Sequence, residues 1–422
     1  MSSGAFLRVL RCQIPTYRRQ TRHASSSSSS SPVTAQWYGW GSSAGANTLP
    51  VVGEPPSDEK VKHDHPRKLA LVSPSSDRTG GKGSTIDDIA LGHENIGFLT
   101  DGSAFVWGKG NKNGELGLGP GSVEPVNRPA PLQLPEEERV AKLRLGSDFS
   151  AAVTESGNLY TWGWGGSAVS GMGMLGHGDG QSYSSPTFVS SLYDDGCIVS
   201  DISVGKHHSV VLTDEGEVLT AGAGSYGRLG NLEPNDQIHF TSVDLLTGTN
   251  VQEIAVGHAF TLALADDGII HAWGRNDQGQ LGVPGGFNLD MYSMESLPAM
   301  IEGNLEGRKV EKIAAGHSHA ACITDTGECF MWGSKRYLEP ELLTVLLSSR
   351  CVDVACGHNY TAVLTEEGAL FTFGDGKSGC LGHASNKNLS QPELVEAFEG
   401  RKVVRVRAGM TQVACLVEDS FA

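Results

Sequence analysis

The chain has 422 residues, with 55 glycines against 18 prolines, no three-residue glycine period and no apolar run near the roughly 18 residues a membrane helix needs. Collagen and a membrane-spanning helix are excluded on those grounds. The net charge is −16; the first 36 residues hold five arginines and no acid, so the rest carries 27 basic against 48 acidic residues, or −21, a body that repels phosphate backbones except at local basic patches.

The first 36 residues read as an address. Phe6, Leu7, Leu10 and Ile14 fall near helical spacing, with Arg8 and Arg11 interleaved and a serine run following. A basic, amphipathic, acid-free leader is the pattern of an organellar transit peptide, with the mitochondrial matrix as the expected destination. A plastid and a plain disordered tail are the alternatives. Cleavage is expected between Arg22 and Trp37, leaving residues 37–422 as one folded domain. Just after the leader stands QWYGWG, residues 36–41, a strand-like run without a partner nearby. Glu54–Lys68 is charged and contains proline, and reads as a flexible loop. Gly80–Thr85 (GGKGST) resembles a phosphate loop, but Gly83 interrupts the required Gly-Lys-Ser/Thr order.

From Asp88 onward one unit recurs. The first copy, DIALGHENIGFLTDGSAFVWGKGNKNGELG, ends at Gly117; the fourth reads EIAVGHAFTLALADDGIIHAWGRNDQGQLG, residues 253–282. The leading glycine falls at Gly92, Gly146, Gly205, Gly257, Gly316, Gly357 and Gly409, a mean period of about 53 residues. A second glycine (Gly102, Gly157, Gly216, Gly268, Gly327, Gly368) follows ten or eleven residues later, where a tight hairpin needs positive φ. The runs between them alternate in polarity or are rich in β-branched and aromatic residues, and read as strands. Four short strands per unit at this period predict an all-β fold, a seven-bladed β-propeller with four antiparallel strands per blade. Trp107, Trp162, Trp273 and Trp332, with Phe373 in the sixth copy, end the third strand and are expected to fill the wedge between blades. The third copy has Ala221 there, so that joint is expected to be less well filled. The C-terminal copy stops before its Trp-Gly run, and the spare run ending in Trp40 completes it. The last blade is therefore expected to close from both ends of the chain, removing exposed sheet edges.

Function on a repeat is sought where the repeat breaks. Gly163–Gly180 is a glycine-rich insertion. Val283–Gly307 is partly apolar, with Met291, Tyr292, Met294 and Met300; it reads either as an adaptable binding surface or as the first strand the repeat needs there. The fifth copy loses its second hairpin after Trp332, leaving a recess edged by Lys335, Arg336 and Tyr337. Such a basic-aromatic notch suits RNA or an acidic partner helix, and a functionless deletion is the plain alternative. Arg405 and Arg407 share one strand face in a second basic cluster with Arg401 and Lys402.

Other motifs reduce to the repeat. Gly222–Gly227 and Gly374–Gly379 match G-x-G-x-x-G, but neither opens a helix, so both are hairpins rather than dinucleotide sites. His93, His258, His317 and His358 follow the leading glycine on different blades; their rings are expected to point apart, hydrogen bonding to neighbouring strands rather than sharing a metal. His207, His208 and His319 read as the same position, shifted. The eight cysteines contain no CxxC pair, the closest being Cys351 and Cys356, and read as reduced and structural. No catalytic, cofactor or metal site is expected.

The order G-H…L-T-x-x-G-x-x-x-x-W-G…G-x-L-G resembles the regulator-of-chromosome-condensation repeat family over residues 37–422. Asp follows the key Trp in WD repeats, where this chain has Gly. The family includes an exchange factor for a nuclear GTPase, an ultraviolet-B photoreceptor, ubiquitin-ligase accessory domains and organellar proteins. The photoreceptor's Gly-Trp-Arg-His-Thr motifs do not occur here, and only Trp37 and Trp164 lie outside the blade positions. With its leader, the chain is most similar to the organellar group. The resemblance implies a monomeric, non-catalytic scaffold binding proteins and RNA in organellar RNA splicing, ribosome assembly or respiratory-complex biogenesis. Its alternative is guanine-nucleotide exchange on an organellar GTPase.

Overall fold

A computed structural model describes residues 35–42, 62–69, 86–109, 112–121, 124–135, 137–283 and 293–418. The transit-peptide reading, the cleavage site, Gly80–Thr85, Met291 and Tyr292 lie outside the described residues. The described residues form seven four-stranded antiparallel sheets and one two-residue ribbon inside the Gly163–Gly180 insertion. This is a seven-bladed β-propeller. Blade one consists of Asp88–Leu91, Asn95–Thr100, Ser103–Gly108 and Val126–Pro131, from the axis outward. Each blade's first strand touches the first strands of both neighbours around the whole ring.

Burial follows radius. Second strands such as FSAAVT (Phe149–Thr154) and FTLALA (Phe260–Ala265) are buried at every residue, because both faces of the blade are covered. Fourth strands are polar and largely exposed, and most carry a proline at one register position. That position lies three residues after the partner of the Trp-Gly glycine: Pro129, Pro186, Pro298, Pro340 and Pro392. An edge strand tolerates the missing N–H, and proline there discourages edge-to-edge pairing.

The same register corrects the reading of Glu54–Lys68 as a flexible loop. Lys62–Lys68 is the fourth strand of blade seven; Gly41 pairs with His63, which puts Pro66 at the proline position. Its polarity, read as a loop signal, is what an outermost strand has. The expectation of a first strand in Val283–Gly307 is corrected too: Met294–Met300 pairs with the third strand of blade four and is that blade's outermost, fourth strand.

Blade seven closes as expected. Ala35–Ser42 lies between Lys62–Lys68 and Gln412–Glu418, with Trp40 opposite Val413, and Lys402–Ala408 completes the sheet.

Three contacts join neighbouring blades. The hairpin glycine adopts positive φ, from 73° at Gly102 to 88° at Gly268. Its carbonyl accepts from the first strand of the next blade, as from Val140 N at 2.8 Å and Val310 N at 3.1 Å. A side chain at Gly157 would collide with Ile198, the residue just before that strand. Next, the blade indole donates to the G-x-L-G loop of the preceding blade: Trp162 to Glu115 O, Trp273 to Arg228 O and Trp332 to Gln280 O, all at 3.0 Å, and Trp40 to Cys380 O at 2.7 Å. These rings pack over Gly117, Gly230, Gly282 and Gly382. At Gly176 the ring is Phe240, so the joint expected to be underfilled at Ala221 is filled, with Ala221 fully buried. Phe240 occupies the proline register position of the third blade's outer strand, supplying from that strand the aromatic the third strand lacks.

The third contact comes from the residue three places after the leading glycine. Here the structure corrects a second reading: His208 and His319 are not the same position as His93. They stand where other blades have Phe149, Phe260 and Tyr360, fully enclosed, with Nε2 3.1 Å from Thr261 Oγ1 and Thr361 Oγ1 of the next blade.

Candidate binding site at the channel mouth

Each first strand ends in the leading glycine plus one residue, and these seven pairs ring one mouth of the central channel. The side chains are His93, Ser147, Lys206, His258, His317, His358 and Met410, around a cavity of about 160 Å³. The expectation that the histidines point apart is overturned. The ring centroids of His258 and His317 are 4.2 Å apart, and those of His317 and His358 are 4.3 Å apart. Residues on different blades diverge only away from the axis; at the inner strand ends the radius is smallest and they converge. Backbone bonds also run round the ring, from His258 N to His317 O at 3.3 Å and from His358 N to Met410 O at 3.1 Å. The expected bonding to neighbouring strands is therefore made by the backbone. Among the described residues no group of three or more His, Cys, Asp or Glu side chains is placed to hold a metal ion.

Burial and mutual repulsion favour the neutral imidazoles of His258, His317 and His358. His258 falls to about 3 through desolvation, then His317, Lys206 and Arg228. His317 falls to about 4 through desolvation, then His358, Arg275 and Lys206. His358 is lowered by desolvation and by His93, against a pull from Asp375. The carboxyl of Asp148, next to Ser147, is itself raised by desolvation despite Lys206 and His93.

Behind blades three and four the cationic character deepens. Arg228 is 3% exposed and donates to Ser225 O at 2.8 Å and Ser225 Oγ at 3.0 Å, while its Nη1 is buried without a partner. Desolvation lowers it to about 10. Arg275 pairs with Asp277 at 2.7 Å, leaving its Nε buried and unpartnered. Both guanidinium groups lie over the Tyr226 ring, at 5.4 and 5.1 Å, and Tyr226 holds φ of 64°. His207 beside them falls to about 4 through desolvation, Arg228 and Lys206.

The two sequence-derived basic patches lie elsewhere. At blade five a tight turn with Ser334 at φ 54° and Lys335 at φ 57° replaces the hairpin. Lys335 and Arg336 are exposed; Arg336 stacks 4.9 Å from Tyr337 and donates to Ser390 O of blade six at 2.7 Å. Arg405 and Arg407 are in the channel wall of blade seven and face Asp88 of blade one, Arg407 at 3.0 Å and Arg405 at 3.9 Å. They belong to a ring that the sequence reading missed. Four residues before each leading glycine stand Asp88, Lys142, Asp201, Glu253, Lys312, Asp353 and Arg405. Lys142 meets Asp201 at 2.7 Å, Arg144 meets the same carboxylate at 3.0 Å, and Lys312 meets Glu253 at 3.9 Å. Reading that column of the stacked repeats by sign would have found it.

Comparison with known proteins follows this geometry. The RCC1-like domain family matches residues 169–421, and the regulator of chromosome condensation (RCC1) repeat matches residues 101–153. The chain is 31% identical over 375 residues to the E3 ubiquitin-protein ligase HERC2 of Mus musculus, covering 89% of this chain and only 6% of that protein. It is 32% identical over 244 residues to the RCC1 domain-containing protein RUG3, mitochondrial, of Arabidopsis thaliana, covering 56% of this chain and 53% of that one. A secretion-regulating guanine nucleotide exchange factor of Bos taurus is 33% identical over 284 residues, 63% of this chain and 58% of that one. Among solved structures, human WBSCR16 superposes with a TM-score of 0.75 at 22% identity, over 92% of this chain and all of that one.

Proposed function

The chain belongs to the regulator-of-chromosome-condensation repeat family, and from that premise we propose that it is a non-catalytic mitochondrial scaffold. Its partners are proteins and RNA of an organellar RNA-maturation, ribosome-assembly or respiratory-complex assembly line. The observation that carries this reading is the likeness to the mitochondrial Arabidopsis relative, taken together with the arginine-rich, acid-free leader. The blade chemistry supports it: the recurring Trp, Gly and Thr groups bond to neighbouring blades, leaving recognition to positions that break the repeat. On this reading Lys335, Arg336 and Tyr337 form the partner edge. Arg405 and Arg407, already engaged by Asp88, are a second candidate partner contact, on the innermost strand of blade seven.

Affinity capture of the tagged protein from isolated mitochondria, with and without RNase, tests this. Specific transcripts and their processing factors, lost with RNase and reduced by Lys335→Glu with Arg336→Glu, are expected. The bovine relative favours a second reading, nucleotide exchange on an organellar GTPase. An RNase-resistant GTPase, enriched after nucleotide removal and releasing its nucleotide faster with this protein present, would establish exchange and overturn the scaffold.

A further inference from the structure

We propose that the histidine-ringed mouth of the channel is a binding site for a single phosphoryl group, free phosphate or a phosphomonoester, held by Lys206 with Arg228 and Arg275 behind it. The proposal does not depend on the partner reading above.

Three observations carry it. The first is the cavity, about 160 Å³ against roughly 30 Å³ for one water in the liquid. That is room for one tetrahedral oxyanion.

The second is unspent positive charge. Lys206 pairs with no carboxylate among the described residues. Lys206 lines the mouth, and its ammonium acts on Asp148 of blade two, His258 of blade four and His317 of blade five. Arg228 is 3% exposed; among the described residues its guanidinium hydrogen-bonds only to Ser225 and leaves Nη1 without an acceptor. Leaving a buried charged donor unpaired is costly, and an anion at the mouth relieves that cost through its field. The opposing carboxylates are otherwise engaged. Asp236 accepts from the backbone N–H groups of Met172 and Gly224. Asp277 takes Arg275. Asp148 is shifted toward its neutral form, and Asp375 accepts from Lys377 N.

The third is the set of donors. Imidazoles tilted against one another at centroid distances of 4.2 and 4.3 Å line one side of the mouth, with the Ser147 hydroxyl, 3.7 Å from Met410 Sδ, on the other; His317 Nδ1 is taken by Ser318 Oγ at 2.7 Å, so its Nε2 is the atom left to an anion. A tetrahedral anion uses such a set; a planar carboxylate uses only part of it. Because the free imidazoles are neutral, an anion that stabilises their protonated forms takes up protons as it binds. Affinity therefore rises as pH falls.

Isothermal titration of the full chain with inorganic phosphate at pH 7.5 tests the site. Saturable 1:1 binding is expected, weakened about tenfold or more by Lys206→Gln and by Arg228→Gln and unchanged by Lys387→Gln on the exposed outer loop. Glutamine is what blade four carries at the position equivalent to Arg228, namely Gln280, so the fold accepts that exchange. Sulfate, which does not titrate between pH 7.5 and 5.5, reads the coupling: its affinity should rise over that range, and rise less in His258→Gln. Displacement of bound phosphate by adenosine monophosphate assigns a phosphomonoester; failure to displace it assigns the free ion. Absence of saturable binding, or equal binding in wild type and Lys206→Gln, overturns the proposal.

Discussion

The joint between blades four and five and the joint between blades five and six are written in the same repeat and solve different problems. In the first, Phe260 supplies an apolar ring and Trp332 supplies both volume and a donor, its indole reaching Gln280 O at 3.0 Å. In the second, blade five has lost the loop that would offer that carbonyl, and its chain reverses in the tight turn at Ser334 and Lys335. The aromatic there is Phe373, which has no N–H to satisfy, packed with Leu343 and Leu346. The polar link moves to His319, bonded to Thr361. The pair teaches that the blade tryptophan is selected for its donor as much as for its size. Where the acceptor goes, the donor goes with it, because a buried unpaired N–H is costly.

This contrast can be broken from either side. The largest effect is expected from Trp332→Ala, which leaves a cavity and an orphaned carbonyl: a loss of about 3–5 kcal/mol, read from the denaturant midpoint. Phe373→Trp should destabilise by about 1–3 kcal/mol through overpacking and an unmet donor.

The second joint should also carry an acid-sensitive contact of its own, apart from the depressed His258 and His317 at the channel mouth. His319 is depressed to about 4, chiefly by burial, against an ordinary value of 6.5. The unfolded chain therefore takes up the proton first, and stability present above about pH 6.5 is lost as pH falls toward 4. His319→Phe, the residue type blade four uses at Phe260, should flatten the dependence of melting temperature on pH. It should do so with little change at pH 7.5; an unchanged slope would count against His319 as the sensor. The smallest expected effect is at the turn. Ser334→Gly removes a side chain from a left-handed conformation and should stabilise by about 1 kcal/mol, seen as a small rise in the same midpoint.

Much of this was legible beforehand because a repeat tests itself. Seven leading glycines gave the blade count, and a Trp-Gly run missing at one end and spare at the other gave the closure through Trp40. The failures have one cause. The strand at Lys62–Lys68 was read as a loop because composition was weighed without its register against Gly41. The joint at Ala221 was read as weak because Phe240 comes from another strand of its blade. The histidines were read as scattered because about 50 residues separate them in the chain.

The sequence by itself determined the order of strands, their number and where the ring closes, since these follow from periodicity and from the need to pair every edge. Only the tertiary structure decided which residues meet across the blades: indole with loop carbonyl, His319 with Thr361, Arg407 with Asp88, and the imidazoles of His258, His317 and His358 with one another. The reason is geometric. Equivalent positions share a column in the sequence, but their separation in space is set by the radius at which the column lies, and only at the axis is that radius small enough for side chains to touch.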